Sequence, residues 1–120
     1  MLAGLSGDVL EIGGGTGTNL PCFGPAVTSL TLTEPQAPML RRLERTAREH
    51  RASATVLRAP ARDLPFDDRT FDVAVSTLVL CGVDDQPRAL RELPRVLRPG
   101  GQLLFIEHVC VLAARLGAVR

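Results

Sequence analysis

Glu11, Gly13, Gly15 and Gly17 recur at every second position of GDVLEIGGGTGTNL, residues 7–20, directly after a short apolar run. A strand that breaks into glycines lets a nucleotide-like ligand come close to the main chain. The dinucleotide fingerprint G-x-G-x-x-G/A needs a small third residue; counted from Gly13 that position is Thr18, which does not fit. Two other side chains could handle protons or a nucleophile. His108, at the end of the last β-rich run, either takes a proton from a thiol or hydroxyl or bonds a loop carbonyl. Cys81, just past another apolar run, either faces a ligand or is a small buried apolar side chain. His50 falls at a helix C-terminus, where it complements the dipole.

These residues need a scaffold, and the hydrophobic pattern supplies one. Residues 8–12, 27–33, 54–58, 71–76 and 102–108 read as five strands. The first and fourth are almost wholly apolar, as central parallel strands covered on both faces are. Residues 38–50 form an amphipathic helix, with Met39, Leu40, Leu43 and Ala47 on its apolar face and Arg41, Arg42, Arg45 and Arg48 elsewhere. Pro35 and Pro38 suit its first turn. A second helix covers residues 84–97, started by Asp84 or Asp85 with Pro87 close behind, and RPGG stops it. Pro94 breaks a rule inside that helix, at up to ~3 kcal/mol unless the last turn is already bent. Strands alternating with helices predict an α/β fold, a doubly wound Rossmann-like parallel sheet with helices on both faces. Ligands of such sheets lie beyond the carboxyl ends of the strands, near the switch point.

Composition narrows the functions. The 120 residues suffice for one domain with a real core, and 45% hydrophobic with 22% charged residues suits a globular chain. A net charge of +1 gives no general argument for nucleic acid or acidic membranes. All 14 basic residues are Arg. Trp and Tyr are absent, which removes the stacking platforms that grip single-stranded nucleic acid. No apolar run approaches the roughly 20 residues needed to span a bilayer. Cys22, Cys81 and Cys110 are far apart without a CxxC pair, and the two His are unclustered. That argues against a disulfide framework or metal site and suits a cytoplasmic location.

The E-x-G-x-G-x-G spacing from Glu11 to Gly17 resembles the first motif of the class I S-adenosylmethionine-dependent methyltransferases, of the type 11 domain. Three further segments resemble that family in the expected order. They are LTLTEP ending at Glu34 and Pro35, DLPFDDRTFDVAVSTLVL, and LRELPRVLRPGGQLLFIEHV. Together they cover residues 8–109. The resemblance implies S-adenosylmethionine as cofactor, held by Glu11, Gly13, Gly14, Gly15, Gly17, Asn19, Glu34, Pro35, Ala61, Leu64 and Thr77. Glu34 is implied to accept both ribose hydroxyls. Glu11 is implied either to lie near the cationic amino end of the methionyl group or to hold the turn through backbone N–H groups. STLVLCGV and FIEHV resemble the small-molecule branch that includes alkyl thiol S-methyltransferases, with quinone- and lipid-head-group-methylating relatives close by. The implied partner is a small-molecule acceptor against an apolar lip of Leu78, Val79 and Leu80, with Cys81 and His108 as catalytic candidates.

Two departures follow. Family members commonly carry an acidic residue before DLPF that holds the adenine amine, and here Pro60 stands in its place. Adenine would then rest on the Ala61 backbone N–H and on apolar contact from Leu64 with Pro35 or Gln36. The family also has an N-terminal helical lid and a seven-stranded sheet ending in a reversed hairpin, whereas seven residues precede Asp8 and twelve follow His108. The expectation is a core of about five strands whose last strand is an exposed edge. Such a core would pair with a second copy and bind cofactor with very slow or absent turnover. The alternatives are a cofactor-binding module without turnover and, less well matched, a nicotinamide-dependent oxidoreductase.

Overall fold

Val9 and Leu10 are fully buried although consecutive strand residues point to opposite faces. That requires a covering layer on each side of the sheet. The structure, a computed structural model, describes residues 2–15, 17–77, 85–106 and 111–115, with Thr77, Ile106 and 111–115 as backbone. Its elements are β1 (Gly7–Ile12), β2 (Val27–Thr33), α1 (Ala37–His50), β3 (Thr55–Leu57), β4 (Phe71–Thr77), α2 (Gln86–Val96), β5 (Leu97–Ile106) and β6 (Val111–Arg115).

The sheet order is β3-β2-β1-β4-β5-β6, with β1 to β5 parallel and β6 antiparallel to β5. The chain steps outward from β1 to β3 and returns to β4 on the other side of β1. The switch point therefore lies between β1 and β4. One core layer joins Val9, Leu30, Leu32, Val73 and Val75 to Leu43 and Ala47 of α1. The other joins Leu10, Ile12, Ala74 and Leu103 to Ala89, Leu93 and Val96 of α2. The two helices thus cover opposite faces, as a doubly wound sheet requires.

Several sequence expectations change. Residues 111–115 form a strand beyond the five expected, and five residue pairs join β6 to β5. The edge expected at the fifth strand is covered; among the described residues β3 and β6 are the outer strands. Backbone pairing with β5 outweighs the helical preference of an Ala- and Leu-rich segment. α2 ends at Val96, one residue short of the expected end, with Leu97 as an extended cap whose N–H bonds Pro94 O; RPGG lies within β5, in an irregularity opposite Phe71 and Val73. Met39 is 38% exposed and lies off the buried stripe of α1. Asp85 caps α2 by accepting from the Arg88 N–H at 3.1 Å, while Asp84 lies outside the described residues. Among the described residues no helix is long and apolar enough to cross a membrane.

Candidate functional site

β1, β2 and β4 end side by side, with Ile12 in register with Thr33 and with Ser76. The glycine turn rises from this edge. Gly14 N–H bonds Thr33 O at 3.0 Å, tying the turn to β2, and Gly17 N–H bonds Gly14 O at 3.0 Å, closing it. Gly15 has φ +60, and a Cβ added there would meet only Met39 Cε at 3.6 Å and Gly13 O at 3.9 Å. Gly17 has φ +91 and is hemmed in by Thr46 and Leu20, with atoms inside 3.0 Å of an added Cβ. The turn is therefore locked beneath Gly17 and open above Gly15, with the exposed Met39 beside the opening.

Two carboxylates flank the turn. Glu11, 1% exposed, lies on the α1 side of β1, and its Oε2 accepts from Asn19 Nδ2 at 2.7 Å. Glu34, 5% exposed, follows β2; Oε1 accepts from Gly15 N–H at 3.0 Å and Oε2 from Gln36 N–H at 3.1 Å. Gln36 is the N-cap of α1 and makes no side-chain cap bond of its own, so the Glu34 carboxylate satisfies that helix end. Each Glu34 oxygen has a second lone pair beyond the N–H it accepts. This donor set suits hydroxyls and a cationic ligand and would repel a pyrophosphate. S-adenosylmethionine, with ribose hydroxyls, an ammonium and a sulfonium, fits it.

The rest of the candidate set divides by face. Pro35 O accepts from Arg58 Nε at 2.9 Å, which ties the loop after β2 to the end of β3. Ala61 and Leu64 are buried with Ile12 in the α2-side core, on the loop after β3. Asp63 N–H bonds Pro60 O at 3.1 Å, making that loop a tight turn. Thr77 ends β4, where its backbone pairs with Ile106. Leu78, Val79, Leu80, Cys81 and His108 lie outside the described residues. Among the described residues no group of three or more His, Cys, Asp or Glu could hold a metal ion.

Sequence reasoning missed three groups. Arg58 fixes Pro35, and Glu92 with Arg95 grips the Leu64 loop. Glu92 Oε2 accepts from Leu64 N–H at 2.7 Å, and Arg95 Nη2 donates to Leu64 O at 3.0 Å. The Arg95 hydrogen bond holds Glu92 below the usual carboxylate range, with help from the Leu64 N–H. Glu92 raises Arg95 in turn. The available signal was their i,i+3 spacing on α2.

Comparison with known proteins places the chain in a family. The sequence pattern of a family described as a methyltransferase domain matches residues 10–105. The human thiol S-methyltransferase TMT1B is 40% identical over 113 residues, covering 90% of this chain and 46% of that protein. The ubiquinone/menaquinone biosynthesis C-methyltransferase UbiE of Idiomarina loihiensis is 36% identical over 116 residues, covering 92% of this chain and 46% of its own length. Among solved structures, a methyltransferase of Thermotoga maritima described as S-adenosylmethionine-dependent, possibly a histamine N-methyltransferase, superposes with a TM-score of 0.65. It is 33% identical, over 82% of this chain and 42% of that one. The chain thus spans about half the length of the relatives it matches.

Proposed function

The chain belongs to the methyltransferase domain family, and from that premise we propose that it binds S-adenosylmethionine and transfers a methyl group to a small apolar acceptor. A thiol or a quinone is the proposed acceptor class, after the activities named for the similar proteins. The observation that carries this reading is Glu34, a buried carboxylate at the switch-point edge with one oxygen on the Gly15 N–H and the other on the Gln36 N–H. It holds the turn in shape while keeping lone pairs for two ribose hydroxyls.

The cofactor supplies a methyl carbon activated by a positively charged sulfur. Methyl transfer from it is an in-line displacement, so the chain acts by alignment and by excluding water. In this reading Glu34 orients the ribose, and Glu11, steadied by Asn19, offers negative charge beneath the glycine turn. Gly15 lets the ligand approach the backbone, while Gly13, Gly14 and Gly17 shape the turn, Gly14 against Leu43 and Gly17 against Thr46 and Leu20. Pro35, Ala61 and Leu64 surround the adenine, with Ala61 N–H to a ring nitrogen, and Thr77 bounds the site at β4. His108 is assigned the acceptor's proton, with Cys81 beside the acceptor; a base is needed only where the acceptor's pKa demands it.

We read 1–120 as one cofactor-binding domain, supported by the continuous sheet and its two core layers. A cytoplasmic location is part of the reading, supported by the cysteine spacing. Self-association through a sheet edge would use β6 or β3. The test is calorimetric titration with S-adenosylhomocysteine and with NAD, followed by labelled methyl donor with a panel of thiols, quinols and amines. Binding of S-adenosylhomocysteine but not NAD, with label on a thiol or quinol, is expected. Binding without transfer to any acceptor identifies a cofactor-binding module, and NAD binding overturns the reading.

A further inference from the structure

Leu64 is held by both ends of its peptide from a single helix. Its N–H is bonded by Glu92 and its carbonyl by Arg95. The Arg95 guanidinium also donates to Phe66 O at 2.8 Å and to Asp68 Oδ1 at 2.9 Å. Against Glu92 it makes a bidentate pair, Nε to Oε1 at 2.7 Å and Nη2 to Oε2 at 3.0 Å. Two backbone bonds complete the clamp, Arg69 N–H to Arg95 O at 2.9 Å and Thr70 N–H to Val96 O at 2.8 Å. A planar fork with several fixed donors suits this task, since one guanidinium reaches three separate loop acceptors and its partner carboxylate.

We propose that the Glu92–Arg95 pair is a positioning device that sets the adenine side of the cofactor site, a proposal resting on the cofactor reading above. Pro60 stands where the family resemblance places an acidic side chain, so in that reading recognition falls to the backbone of Ala61 and the flank of Leu64. A side-chain acceptor can adjust its rotamer to the ligand. A backbone donor is only as well placed as the loop that carries it, and this loop is placed by α2. Leu64 belongs to the same buried cluster as Ile12, the residue immediately before the glycine turn, so a shift of the loop disturbs the packing beneath the other wall of the site.

The test titrates the full 120-residue chain, as wild type, Arg95→Met, Arg95→Lys and Glu92→Gln, with S-adenosylhomocysteine and with S-ribosylhomocysteine, which lacks the base. Thermal melts are recorded alongside. Arg95→Met is expected to weaken S-adenosylhomocysteine about tenfold while leaving S-ribosylhomocysteine within about twofold of wild type. Arg95→Lys should not rescue, because one ammonium cannot reach three acceptors. Glu92→Gln should be milder, since its amide oxygen still accepts from Leu64 N–H. Should Arg95→Met fail to fold, Asp68→Ala removes one contact at the exposed end of the network and should shift the preference between the two ligands in the same direction by less. Equal weakening of both ligands, or lowered melting with unchanged ligand preference, overturns the positioning role. A wild-type chain that binds neither ligand overturns the cofactor reading and this inference with it, whereas unchanged binding by variants of a binding-competent chain overturns the inference alone.

Discussion

Glu34 accepts two backbone N–H bonds inside the protein, and its proposed ligand contacts would be added to these. Removing the carboxylate therefore acts twice, on the turn and on the ligand. Glu34→Ala is expected to weaken S-adenosylhomocysteine by roughly 1.5–3 kcal/mol, the range for hydrogen bonds to a charged group, and to lower the melting temperature by freeing Gly15 and Gln36. Calorimetry giving equal affinities for variant and wild type would remove Glu34 from the site. Pro60→Asp tests the opposite face. An acidic side chain there should tighten S-adenosylhomocysteine by about 1 kcal/mol, one added hydrogen bond, if Ala61 already sits where the adenine needs it. Unchanged or weaker binding in parallel titrations means that the base is held in another way. The positions of Glu11 and Glu34 beside the turn were legible because strand, glycines and strand end follow one another along the sequence. Asn19 as the partner of Glu11 was not, since an amide eight residues away has many possible acceptors until the turn is folded.

Among the elements, α2 carries a cost that its boundaries make small. Pro94 removes the N–H that would bond Leu90 O, but the helix ends two residues later at Val96. Pro94→Ala should restore that bond and stabilise the chain by about 1 kcal/mol, after the added freedom of the unfolded chain is subtracted. A urea midpoint that does not rise means the last turn is already bent away from the bond. The strand N-termini hold a second test. Arg98 Nη1 lies 3.0 Å from both Asp8 Oδ2 and Asp72 Oδ1, and Ser29 Oγ donates to Asp8 Oδ1 at 2.7 Å. The Ser29 hydroxyl first, and Arg98 second, hold Asp8 below its usual range. The folded chain then binds fewer protons there than the unfolded chain. Its contribution is complete above about pH 4 and is lost as pH falls through the lowered folded value. Asp8→Asn should flatten the stability profile between about pH 5 and pH 2, and because these groups are partly exposed the loss at neutral pH should stay within about 1 kcal/mol. An unaltered acid limb in pH-dependent melts would count against this role. Strand and helix order was legible from periodicity; the clamp on Leu64 was not, because Arg95 reaches a carbonyl 31 residues away.

At the scale of the whole molecule, β6 decides what the sheet exposes. Its segment, VLAAR, carries Ala, Leu and Arg, which favour helix, and only the open edge of β5 makes a strand the better use of it. The five parallel strands and the open edge at the fifth were legible in the sequence; the strand that covers the edge was not, because an Ala- and Leu-rich segment carries no strand pattern of its own. Five antiparallel pairs form a handful of backbone bonds at roughly 1 kcal/mol net each, offset by the entropy of fixing five residues. Against a usual stability of about 5–15 kcal/mol, even a net 1–2 kcal/mol is felt. A chain ending at Cys110 should melt lower than the 120-residue chain. It should also leave β5 with a row of unpaired N–H and C=O groups, a template for a second copy. Light scattering over a concentration series is expected to show a rising apparent mass for the shortened chain and a flatter one for the full chain. If both chains scatter alike and melt alike, β6 contributes neither stability nor protection, and the edge must be covered by something else.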